Sequence, residues 1–114
     1  MNLEHFKTRL HAKEEELRAD IARLESEARQ AREADVEDVI DEATSSEGKA
    51  AAFEASSREW QTLTAVRDAM QRIEEGTFGM CLDCGRLIEP ARLEAVPWTP
   101  YCRADQEKHD SDVR

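Results

Sequence analysis

The chain has 114 residues, about one domain, and its composition argues against a large hydrophobic core: 39% of the residues are hydrophobic, 5% are aromatic and 37% are charged. A formal net charge of −10 excludes a protein that binds nucleic acid mainly by neutralising phosphates, which needs clustered Lys and Arg. The N-terminus is charged from its fourth residue and no long apolar run follows, so the sequence predicts neither signal peptide nor membrane span and indicates a cytoplasmic protein.

The first predicted element is a long amphipathic helix over residues 2–34. Phe6 and Ile21 widen a stripe of leucines that recur every seven residues, and charged residues cover the other faces. The stripe consists of Leu3, Leu10, Leu17 and Leu24. This pattern is typical of a helix that packs one face against a single partner.

A strongly acidic segment follows the first helix. Its sequence, DVEDVIDEA at residues 35–43, has five acidic side chains in nine residues. Composition alone indicates a solvated turn, because loops are exposed and acidic residues are soluble.

The second predicted element is another amphipathic helix, over residues 47–75. Its apolar residues are three, four or seven positions apart, and Ser45 or Ser46 is the predicted N-cap. Gly76 is expected to end the helix in a left-handed turn. The apolar stripe, including the two aromatic residues that we expect in the core, consists of Phe53, Trp60, Leu63, Val66, Met70 and Ile73.

The two helices are predicted to form a long antiparallel coiled-coil hairpin over residues 1–76. Each helix is about 45 Å long at a rise of 1.5 Å per residue, and a connection of about 12 residues makes them antiparallel neighbours. The acidic tip of the hairpin then covers residues 35–46. The alternative is an ordinary coiled coil that forms a dimer, because long amphipathic helices often self-associate.

The last part of the chain, residues 77–114, has the composition of a small metal-organised module. All three cysteines lie here, in the pattern C-x2-C-x17-C-x2-D formed by Cys81, Cys84, Cys102 and Asp105. A C-x-x-C-G turn directs two thiolates towards one ion, and zinc accepts an Asp oxygen in place of a fourth sulfur. A short C-terminal helix is predicted to begin at Cys102.

Two alternatives to this ligand set remain open. His109 could be the fourth ligand, but it lies two helical turns beyond Cys102, about 10 Å along the axis, which is too far for a shared ion. The module could also fold without metal. Its core would then consist of Leu87, Ile88, Leu93, Val96, Trp98 and Tyr101.

Several motifs together carry a family resemblance. The segment TFGMCLDCGRLIEPARLEAVPWTPYC resembles the zinc-finger signature of the DksA/TraR family of bacterial RNA polymerase regulators. Asp38, Asp41 and Ala43 have the D-x-x-D-x-A spacing that members of the DksA kind carry at a coiled-coil tip. The resemblance covers residues 35–105 well and the first helix only by pattern.

The resemblance implies a regulator that enters the secondary channel of RNA polymerase without binding DNA sequence-specifically, and that acts as a monomer. Asp38 and Asp41 would then act near the catalytic centre and change open-complex stability, with Ala43 allowing close approach. Arg58 and Arg92, matched by position, are expected to help dock the protein on the polymerase.

The sequence also departs from the family pattern. Asp105 replaces the fourth cysteine, which predicts weaker dependence on zinc. Members of the family respond to ppGpp, the alarmone of the stringent response, through basic residues, and the corresponding positions are Ala65, Val96 and Gln106. Neutral side chains cannot pair with a polyphosphate, so we expect a weak ppGpp response.

No enzymatic activity is expected, because the sequence shows no nucleophile with a base and no phosphate-binding loop. Two other classes compete with the transcription regulator. One is a zinc-ribbon and coiled-coil adaptor, or dimeric scaffold, with a partner other than polymerase. The other is a thiol-redox protein, which the absence of a thioredoxin-like βαβ pattern around C-x-x-C disfavours.

Overall fold

The computed structural model describes residues 1–37 and 42–112, with side chains for residues 1–33 and 56–111. Over these residues the chain forms helices α1 (Leu3–Glu37), α2 (Glu42–Glu75), α3 (Pro90–Ala95) and α4 (Arg103–Asp112). Within the described ranges, Met80 and Leu87 form an isolated antiparallel β-bridge. The all-α class and the C-terminal helix are confirmed.

The two long helices extend further into the acidic segment than the sequence predicted. Helix α1 continues to Glu37 and α2 begins at Glu42, so the predicted connection of about 12 residues is too long. Ser45 and Ser46 lie inside α2, and their assignment as its N-cap is wrong. The reason is local: residues 31–47 contain neither Gly nor Pro, so nothing stops either helix early.

Helix α2 ends as predicted at Gly76. The φ angle of Gly76 is +78°, a conformation in which a Cβ atom would be strained. The Gly76 amide donates to the carbonyl of Ile73 at 3.3 Å, and the Thr77 amide donates to the carbonyl of Arg72 at 2.9 Å. These two bonds form a Schellman motif, which satisfies the last carbonyls of the helix.

The described chain divides into two compact units. Unit 1 contains Met1–Glu14 and Thr64–Arg114, and unit 2 contains Glu15–Leu63. In unit 1, Lys7 pairs with Glu74 at 3.9 Å and Glu14 pairs with Arg67 at 3.1 Å. Residue numbers rise along α1 as they fall along α2, so the helices are antiparallel there.

The predicted apolar stripes are buried in part: Leu24, Met70 and Ile73 are half-buried, and Leu3 is 41% exposed. In unit 1, the Phe6 and Phe78 rings lie 5.3 Å apart between centroids and tie α1 to the C-terminal module. The other buried apolar residues of this unit are Leu10, Val66, Ala69, Cys81, Ile88, Leu93 and Pro97. In unit 2 the buried residues are Leu17, Ile21 and Leu63.

Trp60 is an exception, because its side chain is 46% exposed and the prediction that it belongs to the core is wrong. In a coiled coil, core positions alternate at spacings of three and four residues. Counting back from Val66, these positions are Leu63 and Glu59, so Trp60 lies next to the core position and beside the helix–helix contact. Its indole N–H donates to the Glu25 carboxylate at 3.4 Å. The predicted core position of Phe53 lies outside the described side chains.

We expect the replacement Leu10→Ala to destabilise the protein by about 2–5 kcal/mol, because the Leu10 side chain is fully buried and its removal leaves a cavity. Leu3→Ala is the matched control: Leu3 is 41% exposed on the same helix and its loss should cost less than about 1 kcal/mol. Urea unfolding followed by circular dichroism measures both free energies. Equal effects would contradict the assignment of Leu10 to the core.

Among the described helices, none combines the length and the apolar composition that a membrane crossing requires.

Candidate metal centre

The first half of the site is a tight turn that holds Cys81 and Cys84. The Cys81 amide donates to the carbonyl of Arg86 at 2.8 Å, and the Gly85 amide donates to the carbonyl of Cys81 at 3.0 Å. Gly85 has a φ angle of +73°, which favours glycine. The C-x-x-C-G sequence therefore forms a closed turn, here called the cysteine turn, residues 81–86.

The second half of the site lies at the start of α4. Cys102 directly precedes this helix, and its carbonyl accepts the amide of Gln106 at 2.9 Å. Asp105 follows three residues after Cys102 and thus lies on the same helical face. The Leu82 amide donates to the carbonyl of Pro100 at 3.0 Å, which joins the cysteine turn to the segment before α4.

These two halves bring together the four residues predicted as ligands. One donor atom from each of Cys81, Cys84, Cys102 and Asp105 lies within 4.8 Å of the other three. The Sγ atoms of Cys84 and Cys102 are 4.0 Å apart, and Oδ2 of Asp105 is 3.0 Å from Sγ of Cys81 and 3.4 Å from Sγ of Cys102.

The distances fit a tetrahedral zinc ion. With Zn–S near 2.3 Å and Zn–O near 2.0 Å, a tetrahedron has sulfur–sulfur edges of about 3.8 Å and sulfur–oxygen edges of about 3.5 Å. Three of the six distances between donor atoms differ from these edges by about 0.5 Å or less, and all six are within 4.8 Å. Three thiols and a carboxylate also have the donor chemistry of a structural zinc site, so the residues present fit the metal.

The site concentrates acidic groups in a partly closed environment. Cys81 and Asp105 are buried, with 3% and 7% exposure. Hydrogen bonds from the thiols, first that of Cys81, lower the pKa of Asp105. The Arg86 backbone acts to lower the pKa of Cys84, but desolvation and the neighbouring acidic groups outweigh it and raise that pKa to about 11. Lys108 approaches the other Asp105 oxygen at 3.8 Å.

Metal binding should weaken as the pH falls. Cys84, with a pKa of about 11 in the metal-free protein, must lose its proton to coordinate, whereas Asp105, with its lowered pKa, is already ionised at neutral pH. We expect the apparent affinity for Zn²⁺ to fall by at least about tenfold per pH unit from about pH 8 to pH 6. Chelator competition at several pH values measures this dependence, and a constant affinity would contradict it.

The competing sequence interpretations fare differently. His109 does not join the donor group among the described residues; instead its ring bonds the Asp83 carboxylate at 2.6 Å. For the metal-free core, Ile88 and Leu93 are buried as expected, with 2% and 1% exposure. Leu87 is 71% exposed, and its assignment to a module core is wrong. Its bridge partner, Met80, is also exposed.

Val96 also departs from the proposed metal-free core, because it is 36% exposed. It is the C-cap of the short helix α3, where the chain leaves the buried face that Leu93 occupies. Trp98 and Tyr101 are half-buried. The module therefore has a small apolar core, which is consistent with a fold that also uses a metal.

Comparison with known proteins gives the context of this site. The family model for the prokaryotic dksA/traR C4-type zinc finger matches residues 76–110. The RNA polymerase-binding transcription factor DksA of Caulobacter vibrioides (strain NA1000 / CB15N) is 31% identical over 116 aligned residues, which cover 98% of this chain and 78% of the relative. The chain belongs to the DksA/TraR family.

Three further proteins are similar to this chain. The DksA of Salmonella typhimurium (strain LT2) is 30% identical over 100 residues, which cover 88% of this chain and 66% of the relative. An uncharacterized protein of Aquifex aeolicus is 47% identical over 47 residues, covering 41% of this chain and 32% of its own length. The structure of transcription factor DksA2 from Pseudomonas aeruginosa superposes with a TM-score of 0.79 at 25% identity, covering 97% of this chain and 84% of that chain.

Family membership identifies zinc as the metal that the donor group fits. The family model is that of a C4-type finger, in which four cysteines bind the ion, whereas this chain has Asp105 in place of the fourth cysteine. A zinc ion would supply a link between the cysteine turn and the start of α4. Asp105 is the residue that decides how strong this link is, because a carboxylate oxygen replaces a thiolate sulfur.

The remaining predicted site residues are those of the acidic tip and the two docking arginines. Asp38 and Asp41 lie outside the described residues, and Ala43 lies in α2, where its side chain is also outside them. Arg58 is exposed on α2 in unit 2. Arg92 lies half-buried in unit 1, where its Nε–H donates to a backbone carbonyl of the zinc-finger module.

The contact between Asp83 and His109 is a feature that sequence reasoning missed. Asp83 lies inside C-x-x-C, and His109 lies four residues after Asp105, which places both Asp105 and His109 on one face of α4. That spacing is the signal that could have located His109 near the cysteine turn. Nothing in the sequence indicates that His109 pairs with Asp83 rather than with a metal.

Proposed function

We propose that this protein is a bacterial transcription regulator that binds RNA polymerase and acts without catalysis of its own. The observation that supports the proposal most strongly is the similarity over 98% of the chain to a protein named RNA polymerase-binding transcription factor DksA. The structural likeness to transcription factor DksA2 supports the same function. In this proposal the protein acts in the cytoplasm, as a monomer, without sequence-specific binding to DNA.

We further propose that the protein enters the secondary channel of the polymerase with its acidic tip. The family resemblance assigns the tip to Asp38, Asp41 and Ala43. The side chains of two of these residues are carboxylates, which suit a channel lined by basic groups and a metal centre. The helix ends at Glu37 and Glu42 support this proposal, since they bracket the two aspartates closely in the sequence.

Arg58 and Arg92 are the proposed docking residues. Arg58 is exposed on α2, as a contact with a partner requires. Arg92 uses its Nε–H in a 3.0 Å bond to the carbonyl of Tyr101, one of the five N–H donors of a guanidinium. Arg92 therefore has a structural contribution to the module in addition to its proposed role in docking.

Binding to RNA polymerase tests the proposed function directly. Purified protein is mixed with bacterial core polymerase and passed through a size-exclusion column, and we expect the two to elute together. Arg58→Ala should weaken this complex, whereas Arg103→Ala, which removes an exposed arginine on α4, should not. Failure of the wild-type protein to bind polymerase, together with a dimeric mass by light scattering, would favour the scaffold alternative.

We expect ppGpp to add little to the effect of this protein on transcription. The three positions that correspond to the alarmone-contacting residues are Ala65, Val96 and Gln106, which carry no positive charge. An uncharged site cannot form the charge-assisted hydrogen bonds that hold a polyphosphate. Transcription from a ribosomal promoter, measured with and without ppGpp in the presence and in the absence of this protein, tests this. Strong synergy would contradict the assignment.

A further inference from the structure

A contact that involves none of the metal ligands joins the two halves of the zinc-finger module. Oδ2 of Asp83, in the cysteine turn, lies 2.6 Å from Nε2 of His109 in α4. On the other side, the ring of His109 stacks on Tyr101, with 4.0 Å between centroids and an angle of 18° between planes. The His109 side chain therefore bonds the cysteine turn at its edge and packs on Tyr101 with its face.

Tyr101 is itself held firmly by the rest of the module. Its backbone carbonyl accepts the Nε–H of Arg92 at 3.0 Å and the hydroxyl of Thr99 at 3.2 Å. Thr99 is buried, with 5% exposure, and Arg92 belongs to α3. The backbone of Tyr101, which carries the stacking ring, is thus tied to α3 through Arg92.

This contact spans the same two segments as the metal ligands. Cys81 and Cys84 belong to the cysteine turn, as does Asp83, while Asp105 belongs to α4, as does His109. Asp105 and His109 are one helical turn apart on one face of α4, so a bond at His109 also restrains the position of Asp105. Both sets of contacts can hold α4 against the cysteine turn.

We propose that Asp83, His109 and Tyr101 form a clasp that works without metal, holds α4 against the cysteine turn and keeps the four donor atoms together before zinc binds. The clasp matters in this chain because one thiolate of the C4-type site is replaced by Asp105, the poorer zinc ligand. By ordering the ligands in advance, it reduces the conformational entropy that metal binding must remove. His109 is accordingly a positioning residue and not a ligand.

Amide hydrogen exchange of the free, full-length protein tests the clasp after zinc has been removed with a chelator. We expect His109→Ala to increase exchange in α4 roughly three- to tenfold, the effect of losing one hydrogen bond and a ring contact. Helix propensity cannot explain this result, because alanine is the better helix former. Ser111→Ala, at an exposed position of the same helix, is the matched control and should not increase exchange.

A double-mutant cycle with Asp83→Ala separates the pair from general loosening of the module. If Asp83 acts only through its bond to His109, the double variant should exchange no faster than His109→Ala alone. Independent, additive effects, or exchange in metal-free His109→Ala equal to wild type, would overturn the proposal. Unchanged exchange in the buried part of α1 around Leu10 shows that each variant is still folded.

Cobalt binding distinguishes a positioning residue from a ligand. Co²⁺ reports its ligands through thiolate charge-transfer and d–d absorption bands, so an intact set of three sulfurs and one oxygen should give the same spectrum in His109→Ala as in wild type. The affinity of the variant for Co²⁺ should be weaker by the same roughly three- to tenfold, since the clasp no longer orders the site. A changed spectrum would show that His109 is a ligand, and an unchanged affinity would show that the clasp does not prepare the site; either result overturns the proposal.

Discussion

Replacing Asp38 and Asp41 together with asparagine should abolish the effect of this protein on open-complex lifetime while leaving its binding to RNA polymerase intact. The two side chains keep nearly their size and lose their negative charge, so the variant tests the charge alone. In the proposed mechanism these carboxylates act on the basic and metal-containing centre of the polymerase, where a charge interacts strongly because water is partly excluded. Lifetimes are measured on a ribosomal promoter after challenge with a competitor, and binding is measured by co-elution.

A control with the same loss of charge makes this test specific. Asp35→Asn combined with Glu37→Gln removes two negative charges from the same acidic segment, but not from the D-x-x-D-x-A motif. We expect this variant to retain activity on the promoter. Equal loss of activity in both double variants would indicate that only the total charge matters, and full activity of the Asp38 and Asp41 variant would refute the tip assignment.

The second large effect is expected at Asp105, the oxygen ligand of the metal centre. Asp105→Ala removes a ligand and should lower zinc affinity by more than about 100-fold, beyond the range typical of residues that only orient ligands. Asp105→Cys completes a C4 set and should raise the affinity above wild type, because thiolate is the stronger zinc ligand. Chelator competition and the metal content of protein purified without added zinc measure both changes.

Glu107→Gln is the matched control for the Asp105 variants. Glu107 is an exposed carboxylate on the same helix and pairs with Arg103 at 3.4 Å. Its neutralisation should leave zinc affinity at the wild-type value. If Asp105→Ala binds zinc as tightly as wild type, Asp105 is not the fourth ligand, whatever its distance from the thiols.

The metal centre was predictable because its ligands lie in two short sequence motifs. Each half of the site is a short motif, Cys81 with Cys84 and Cys102 with Asp105, whose backbone geometry brings its two residues together. The spacing of the motifs, and the resemblance to a family with a finger of this kind, then predicted that the halves meet. The structure confirms the group as four donor atoms within 4.8 Å.

Other features depend on packing between segments that are distant in the chain. The position of Trp60 beside the core could not be read from its apolar character, because the stripe on α2 can be drawn through Trp60 or through Glu59 and only the contact with α1 selects one. Likewise, nothing in the sequence pairs His109 with Asp83, since 26 residues separate them and the pairing requires α4 to lie against the cysteine turn.

The helical class, the end of α2 at Gly76 and the four candidate ligands were readable from the amino-acid sequence, because each follows from periodicity, a local turn or a short motif. The burial of particular apolar residues and the contacts of His109 with Asp83 and Tyr101 became evident from the folded chain. The difference lies in the range of the interactions. Backbone hydrogen bonds and short turns act between neighbours in the chain, whereas burial and side-chain pairing depend on how the finished segments meet.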